Sequence, residues 1–366
     1  MQPVAPPQLL QHSVSCIKRF QSPNGAYEAS PYFSAYKGYC WLRDGSFIAH
    51  AMSVIGENES ATAFFRWCCA TILKHRSLFR DAINQARTGI TPNINHMPPT
   101  RFLLGGNIAQ DGWENFQLDG YGTWIWAALN HAKRHGCDIS PLEAALSLTV
   151  EYICAAWNLP CYDWWEEHCE QRHVSTLGCL AAGLRAALTA NFLTPTLAEE
   201  AQEALTSITH SIYTAGVHGG HLTKWLGTED IDASLAALIA PLGIINPQSD
   251  LATGTISAIE NQLCIAGGVH RFRNDKYYGG GQWPLLSCYL GLAHCAQQNY
   301  ARAAELLHWA CSTAHAQLDL PEQVDWHLLD AAHRPYWVQR WGEVATPLLW
   351  SHAMVLLLNH SLADIR

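Results

Sequence analysis

Six stretches of this chain, at 45–56, 120–132, 174–184, 233–244, 282–299 and 344–363, contain no aspartate, glutamate, lysine or arginine. A helix that is apolar all round must be enclosed by other protein. Between these stretches lie helical patterns that keep a polar stripe, as Glu199, Glu200 and Glu203 do in one and Arg302 and Glu305 in another. Such helices face water on one side. Periodicity and stop signals place twelve helices at 7–21, 43–56, 58–78, 120–135, 140–157, 174–191, 195–214, 229–240, 249–264, 282–296, 299–317 and 346–362. The even-numbered ones are the enclosed ones. Six enclosed helices alternating with six half-exposed ones predict an inner ring wrapped by an outer ring, an all-α (α/α)6 barrel forming a single domain over 1–366. A solenoid of stacked helix pairs is the alternative, and the lack of any fixed-period repeat counts against it.

Local signals agree with this division. Ser140, Pro141 and Glu143 read as an N-cap, a first-turn proline and a glutamate reaching back. Gly136 and Gly216 stand where helices should stop.

Charge narrows the partners. Lysine and arginine total 22 against 31 acids, a net charge of −9, which repels phosphate backbones and anionic lipid. Neither nucleic acid nor membrane is expected as a partner. The apolar 344–363 stretch is interrupted by Pro347, Ser351, His352, Asn359 and His360, which makes it a buried helix and not a membrane span. Thirteen scattered cysteines without zinc spacing, and an N-terminus without a signal-peptide pattern, predict free thiols in the cytoplasm.

In such a barrel the loops entering the inner helices gather at one end, and those loops carry the chemistry. They hold Trp41, Arg43 and Asp44; Trp113 through Asp119; Asp163, Trp164, Trp165, Glu166 and Glu167; Glu229, Asp230 and Asp232; Arg271 through Trp283; and Glu322 and Gln323 with Arg340, Trp341 and Glu343. All six are expected to converge on one pocket. Acids at helix starts also serve as caps, which is an equal reading for Asp44, Asp230 and Asp232. Three carboxyls flanking Trp164 and Trp165 predict that one is held protonated, as a general acid requires. Flat indole faces suit the C–H face of a pyranose, although tryptophan also fills cores. His50, His173, His270 and His352 read as satisfied core or pocket residues. The proline-bearing 91–105 segment is expected to form a pocket wall or a subunit contact.

These motifs resemble, in order and in register, those of the glucoamylase family of glycoside hydrolases, family 15. Trp41-Leu42-Arg43-Asp44 is similar to its segment that holds the terminal glucose. Trp113 through Gly120 is similar to its tryptophan-to-aspartate-glycine segment, with Trp113 the pocket tryptophan. Asp163-Trp164-Trp165-Glu166-Glu167 resembles the segment whose first glutamate is the general acid and whose second contacts substrate. Arg271 through Trp283 resembles the segment led by a substrate-facing arginine. Leu320-Pro321-Glu322-Gln323 resembles the segment of the general base.

The resemblance implies Glu166 as acid and Glu322 as base, with Glu343 as the next candidate for the base. It implies Trp41, Arg43, Asp44, Trp113, Asp119, Trp165, Glu167, Arg271 and Trp283 as substrate-binding residues, and no metal or other cofactor. It implies an inverting exo-acting α-glucosidase releasing β-glucose from short oligosaccharides, isomaltose-like ones foremost. The two carboxyls should lie roughly 6.5–9.5 Å apart, leaving room for a water. A trehalase of the same family and a non-catalytic carbohydrate-sensing domain are the competing readings. A zinc-dependent helical-barrel cyclase would instead need cysteine ligands at the mouth, where Cys40, Cys161 and Cys169 lie.

Overall fold

The computed structural model describes residues 5–88, 93, 96–113 and 116–364. Its inner helices are α2 (Leu42–Val54), α5 (Asp119–His135), α7 (Val174–Ala190), α9 (Ala236–Ile239), α11 (Pro284–Ala296) and α14 (Leu349–Ala363). Each packs on the next, and α14 packs back on α2. That closure makes the fold an (α/α)6 barrel and removes the solenoid, whose ends never meet. The inner helices are enclosed as their composition demands; every residue from Leu42 to Ser53 and from Pro284 to His294 is buried.

The outer ring consists of α1 (Pro7–Arg19), α3 (Asn58–Lys74), α6 (Glu143–Ala156), α8 (Pro195–Ala215), α10 (Asp250–Leu263) and α12 (Tyr300–Ser312). α3 lies against α2 and α5, α6 against α5 and α7, and α12 against α11 and α14. Two further helices, α4 (Arg76–Arg87) and α13 (Arg334–Trp341), lie outside the two rings. Both depart from the predicted twelve. The helix predicted at 58–78 ends at Lys74, and α4 turns off at His75 to pack on α6.

Two other expectations are corrected. The helix predicted at 229–240 is a 3-10 turn, Ala233–Leu235, followed by the four residues of α9. The residues before it run as a loop. The expected capping of α6 by Ser140 does not form: the helix begins at Glu143 after Leu142, and the Ser140 hydroxyl donates to Asp138 Oδ1 at 2.7 Å. Gly136 does end α5, in the left-handed region at φ 63°.

One contact sets the spacing of the inner ring. A Cβ on Gly122 of α5 would stand 2.3 Å from the Cys179 carbonyl oxygen of α7, and one on Gly183 would stand 2.6 Å from the Gly122 carbonyl oxygen. The two backbones touch, so no side chain fits there. Gly122→Ala should lower stability by about 2–3 kcal/mol through overpacking, read as a lower denaturant midpoint with an unchanged slope.

Below the mouth the barrel axis is filled by aromatic rings. Phe47 stacks on Trp350 (centroids 5.7 Å apart, planes 9° apart), and Trp164 and Tyr289 pack on both. Three two-stranded ribbons complete the described residues, and one of them matters to the site: β1 (Tyr39–Trp41) pairs antiparallel with β2 (Arg101–Leu103), with Trp41 opposite Arg101. No helix among the described residues is long and apolar enough to cross a membrane.

Candidate active site

The N-termini of the inner helices open on one cavity of about 510 Å³. Trp41, Arg43, Asp44, Trp113, Trp165, Glu166, Glu167, Arg271, Trp283 and Glu322 line it, joined by Trp164, Arg340 and Trp341. The mouth loops therefore converge in large part, but several residues named there do not line the cavity, Asp163 and Gln323 among them. Asp119, expected at the substrate, is fully enclosed; its Oδ2 accepts from Arg43 Nη1 at 3.1 Å, so it anchors an arginine one layer below the cavity. Of the Glu229–Asp232 cluster, Asp230 is exposed and Asp232 is buried beneath Trp165, whose Nε1 donates to Asp232 Oδ2 at 2.9 Å. Glu343 is exposed and paired with Arg334 at 2.7 Å, away from the cavity. Glu114 and Asn115 lie outside the described residues. So do Thr91, Pro92, Ile94 and Asn95 of the expected wall segment, whose described residues contribute nothing to the cavity lining.

Glu166 and Glu322 stand in unlike surroundings. Glu166 Oε1 accepts from Trp41 Nε1 at 2.5 Å and from Gln117 Nε2 at 3.1 Å, and its Oε2 accepts from Trp113 Nε1 at 2.7 Å. The two indoles are themselves fixed. The guanidinium of Arg101 lies over the rings of Trp113 and Trp41, at 4.8 and 5.5 Å, and is held by Asp111 at 2.7 and 2.8 Å. The β1–β2 ribbon is what brings Arg101 there.

Glu322 is buried, and its Oε1 accepts from the Tyr36 hydroxyl at 2.8 Å. That hydroxyl also lies 3.0 Å from the hydroxyl of Tyr277. Burial pushes the Glu322 carboxyl up to about 7, against the opposing pull of the Tyr36 hydrogen bond and of Arg271. Its Oε2 finds no hydrogen-bond partner among the described residues, and neither does Asp44 Oδ2. Asp44 Oδ2 does lie 3.4 Å from Arg43 Nη2, in an ion pair. Burial also raises Asp44, to about 7, against the attraction of Arg43.

The expectation that like charge accumulates around Glu166 needs correction. Burial raises the Asp163 carboxyl, but the Lys224 ammonium, 3.0 Å from its Oδ2, together with His173 and the Glu167 N–H holds it below the ordinary range. Glu167 pairs with Arg271 at 3.1 Å, although burial still raises it. Arg271 is in turn clamped by Asp275, whose Oδ2 accepts from its Nε at 2.7 Å. The cluster is thus compensated by two cations that lie far away in sequence.

Tyr36 and Lys224 are residues that sequence reasoning missed, and Tyr277 lay within the named 271–283 segment without being singled out. Each belongs to a segment without periodic signal, and only the fold joins them to the glutamates. The four histidines are buried and none lines the cavity, but only His352 is bonded through both ring nitrogens; His50, His173 and His270 each keep one nitrogen without a partner among the described residues. His352 accepts from the Leu320 N–H at 3.0 Å, while His270 and His173 bond backbone carbonyls. His50 packs at a tilt on Trp126, with ring centroids 4.3 Å apart, and burial lowers it to about 3. Cys40 and Cys161 are buried, and neither they nor Cys169 line the cavity, so the cysteine constellation of a zinc cyclase does not form at the mouth among the described residues.

The sequence profile of glycosyl hydrolases family 15 matches residues 7–327. An isomaltose glucohydrolase of Kribbella flavida is 46% identical over 97% of this chain and 92% of its own length. A trehalase of Mycolicibacterium smegmatis is 25% identical over 73% of this chain and 43% of its own. Among solved structures, a glycosidase variant in complex with glucose superposes with a TM-score of 0.94 at 44% identity, over 97% of this chain and 96% of that one. A closed double ring of helices, a cavity bearing two glutamates and this matched span agree: the chain belongs to glycosyl hydrolases family 15 and is a glycosidase.

Proposed function

We propose that the protein is an inverting, exo-acting α-glucoside hydrolase that releases β-D-glucose from the non-reducing end of short α-gluco-oligosaccharides, with isomaltose the leading substrate. Glu166 is the general acid and Glu322 the general base. The observation that carries this reading is the pairing of two dissimilar glutamates in one cavity that the aromatic rings close from below. A glucosyl unit enters with its non-reducing end inward. Arg43, Asp44, Glu167 and Arg271 take its hydroxyls, Asp44 Oδ2 accepting one of them. Trp41 and Trp113 offer faces for stacking, and Trp165 and Trp283 form the far wall.

Glu166 Oε2 accepts one hydrogen bond, from Trp113, and keeps its other lone-pair direction for the proton that passes to the glycosidic oxygen. Glu322 Oε2 accepts a proton from water as the water oxygen bonds to C1 on the opposite face and the C1–O bond breaks. Two carboxyls and a water complete this chemistry, so no cofactor is needed. The second sugar unit lies towards Trp341, whose ring centroid is 6.0 Å from that of Trp113, and Arg340. That wall favours short substrates. We further propose that the chain acts as one catalytic domain in a reducing cytoplasm, where its thirteen cysteines stay thiols.

The similarity to a trehalase supports a second reading, trehalose as substrate. Proton NMR of the anomeric signals, with isomaltose, maltose, nigerose and trehalose in parallel, separates the two. Fresh β-glucose from isomaltose is the expected result. Release from trehalose alone, as one α- and one β-glucose, transfers the assignment, and α-glucose as the first anomer formed from the non-reducing unit of isomaltose overturns the inverting mechanism.

A further inference from the structure

Glu166 sits in an unusual backbone conformation. Its φ is 64° and that of His168 is 54°, both in the left-handed region that residues with a side chain rarely adopt. Such a turn persists only where its surroundings hold it.

The hold converges on one side chain. Asp163 Oδ1 accepts from the backbone N–H groups of Trp165 and Glu167, the two residues flanking Glu166, each at 2.9 Å. Asp232 Oδ2 accepts from Trp165 Nε1 at 2.9 Å, and Asp232 Oδ1 is bonded to the N–H and hydroxyl of Ser234. Between the two aspartates stands the ammonium of Lys224, 3.0 Å from Asp163 Oδ2 and 2.6 Å from Asp232 Oδ2. It is almost wholly buried and lies 3.7 Å from the centre of the Phe272 ring. Its backbone is equally fixed, since its carbonyl accepts from Val174 N at the start of α7 and its N–H donates to Asp230 O. Lys224 does not line the cavity.

We infer that Lys224 is a positioning residue for the proton-donating step: it locks the turn that aims Glu166 at the glycosidic oxygen. The inference rests on the reading of Glu166 as general acid. Removing the ammonium leaves two buried carboxylates facing each other. One of them takes a proton or turns away, Asp163 loosens its grip on the two N–H groups, and the Glu166 carboxyl drifts. The base is untouched, because Glu322 is held from Tyr36 on another loop.

The test is a comparison of leaving groups. Isomaltose needs its glycosidic oxygen protonated; α-D-glucosyl fluoride does not, because fluoride departs as the anion, yet it still needs the base. Lys224→Met is expected to lower kcat on isomaltose roughly thirtyfold or more with KM little changed, and kcat on the fluoride less than about threefold. Lys224→Met/Asp232→Asn, which preserves the net buried charge, guards against failure to fold and should show the same split. Equal losses on both substrates reduce Lys224 to a structural residue and overturn the inference. No loss on either overturns it as well. A wild-type protein inert towards both substrates refutes the glucosidase reading itself, and this role with it.

Discussion

Glu322→Gln should stop turnover of isomaltose and at the same time make the protein more stable above neutral pH. Loss of the base is expected to lower kcat by roughly 10²- to 10⁴-fold, the usual range for a general base. The stability effect follows from burial, which raises the carboxyl to about 7 in the folded protein. Between its ordinary value near 4.5 and 7, the folded state keeps a proton that the unfolded chain has released. Stability therefore falls as pH rises through that window, by about 3 kcal/mol once pH exceeds 7. Glutamine carries no such penalty. The variant should melt roughly 5 °C above wild type at pH 8 and level with it at pH 4, measured by scanning calorimetry at both pH values. With Glu322 as the base, the same ionisation should set the acid limb of wild-type activity. A base must be deprotonated, so kcat/KM should drop tenfold per pH unit below about 7. An unchanged kcat in Glu322→Gln would falsify the assignment, and the exposed, Arg334-bound Glu343 offers no replacement inside the cavity.

Glu166→Gln should lose isomaltose to the same degree but keep a substrate that needs no proton, and it should be less stable where Glu322→Gln is more stable. Its kcat on isomaltose is expected to fall by roughly 10²- to 10⁴-fold, while α-D-glucosyl fluoride is turned over at a rate within about tenfold of wild type, because only the first substrate needs a proton. Its stability should fall at every pH. Glu166 accepts from three N–H donors, and an amide presents one oxygen and two N–H groups of its own to Trp41, Trp113 and Gln117. Losing those bonds while keeping the left-handed backbone should lower stability by about 1–3 kcal/mol. A variant that loses both substrates equally would move the acid role away from Glu166.

Much of this was legible in the residue order, and the reasons are physical. Charge-free helices can only be interior, so the inner ring could be read from composition alone. The Trp-Arg-Asp, Asp-Trp-Trp-Glu-Glu and Pro-Glu-Gln segments are contiguous, so their membership of one mouth followed from the fold. What could not be read were relationships between distant residues. The negative cluster at Asp163–Glu167 looked uncompensated because Lys224 and Arg271 are remote in sequence. Asp119 looked like a ligand because nothing in its motif tells a residue that touches sugar from one that braces Arg43. α4 was read as the tail of its predecessor because only Phe79, Ala82 and Ile83 are buried, too few to mark a new start. α13 buries none of its residues, and so carries no apolar stripe to find. Capping by Ser140 was the wrong choice between two acceptable local bonds, its hydroxyl going to Asp138 instead.

The stacked rings of Phe47, Trp350, Trp164 and Tyr289 do more than fill the barrel. They close the floor of the cavity among the described residues, so a freed glucose has to leave by the mouth through which the next molecule arrives. The shortened chain must let go before the innermost position can be vacated and refilled. Successive cleavages are then separate encounters, with no sliding along a polymer. A protein so built gains nothing from gripping long chains.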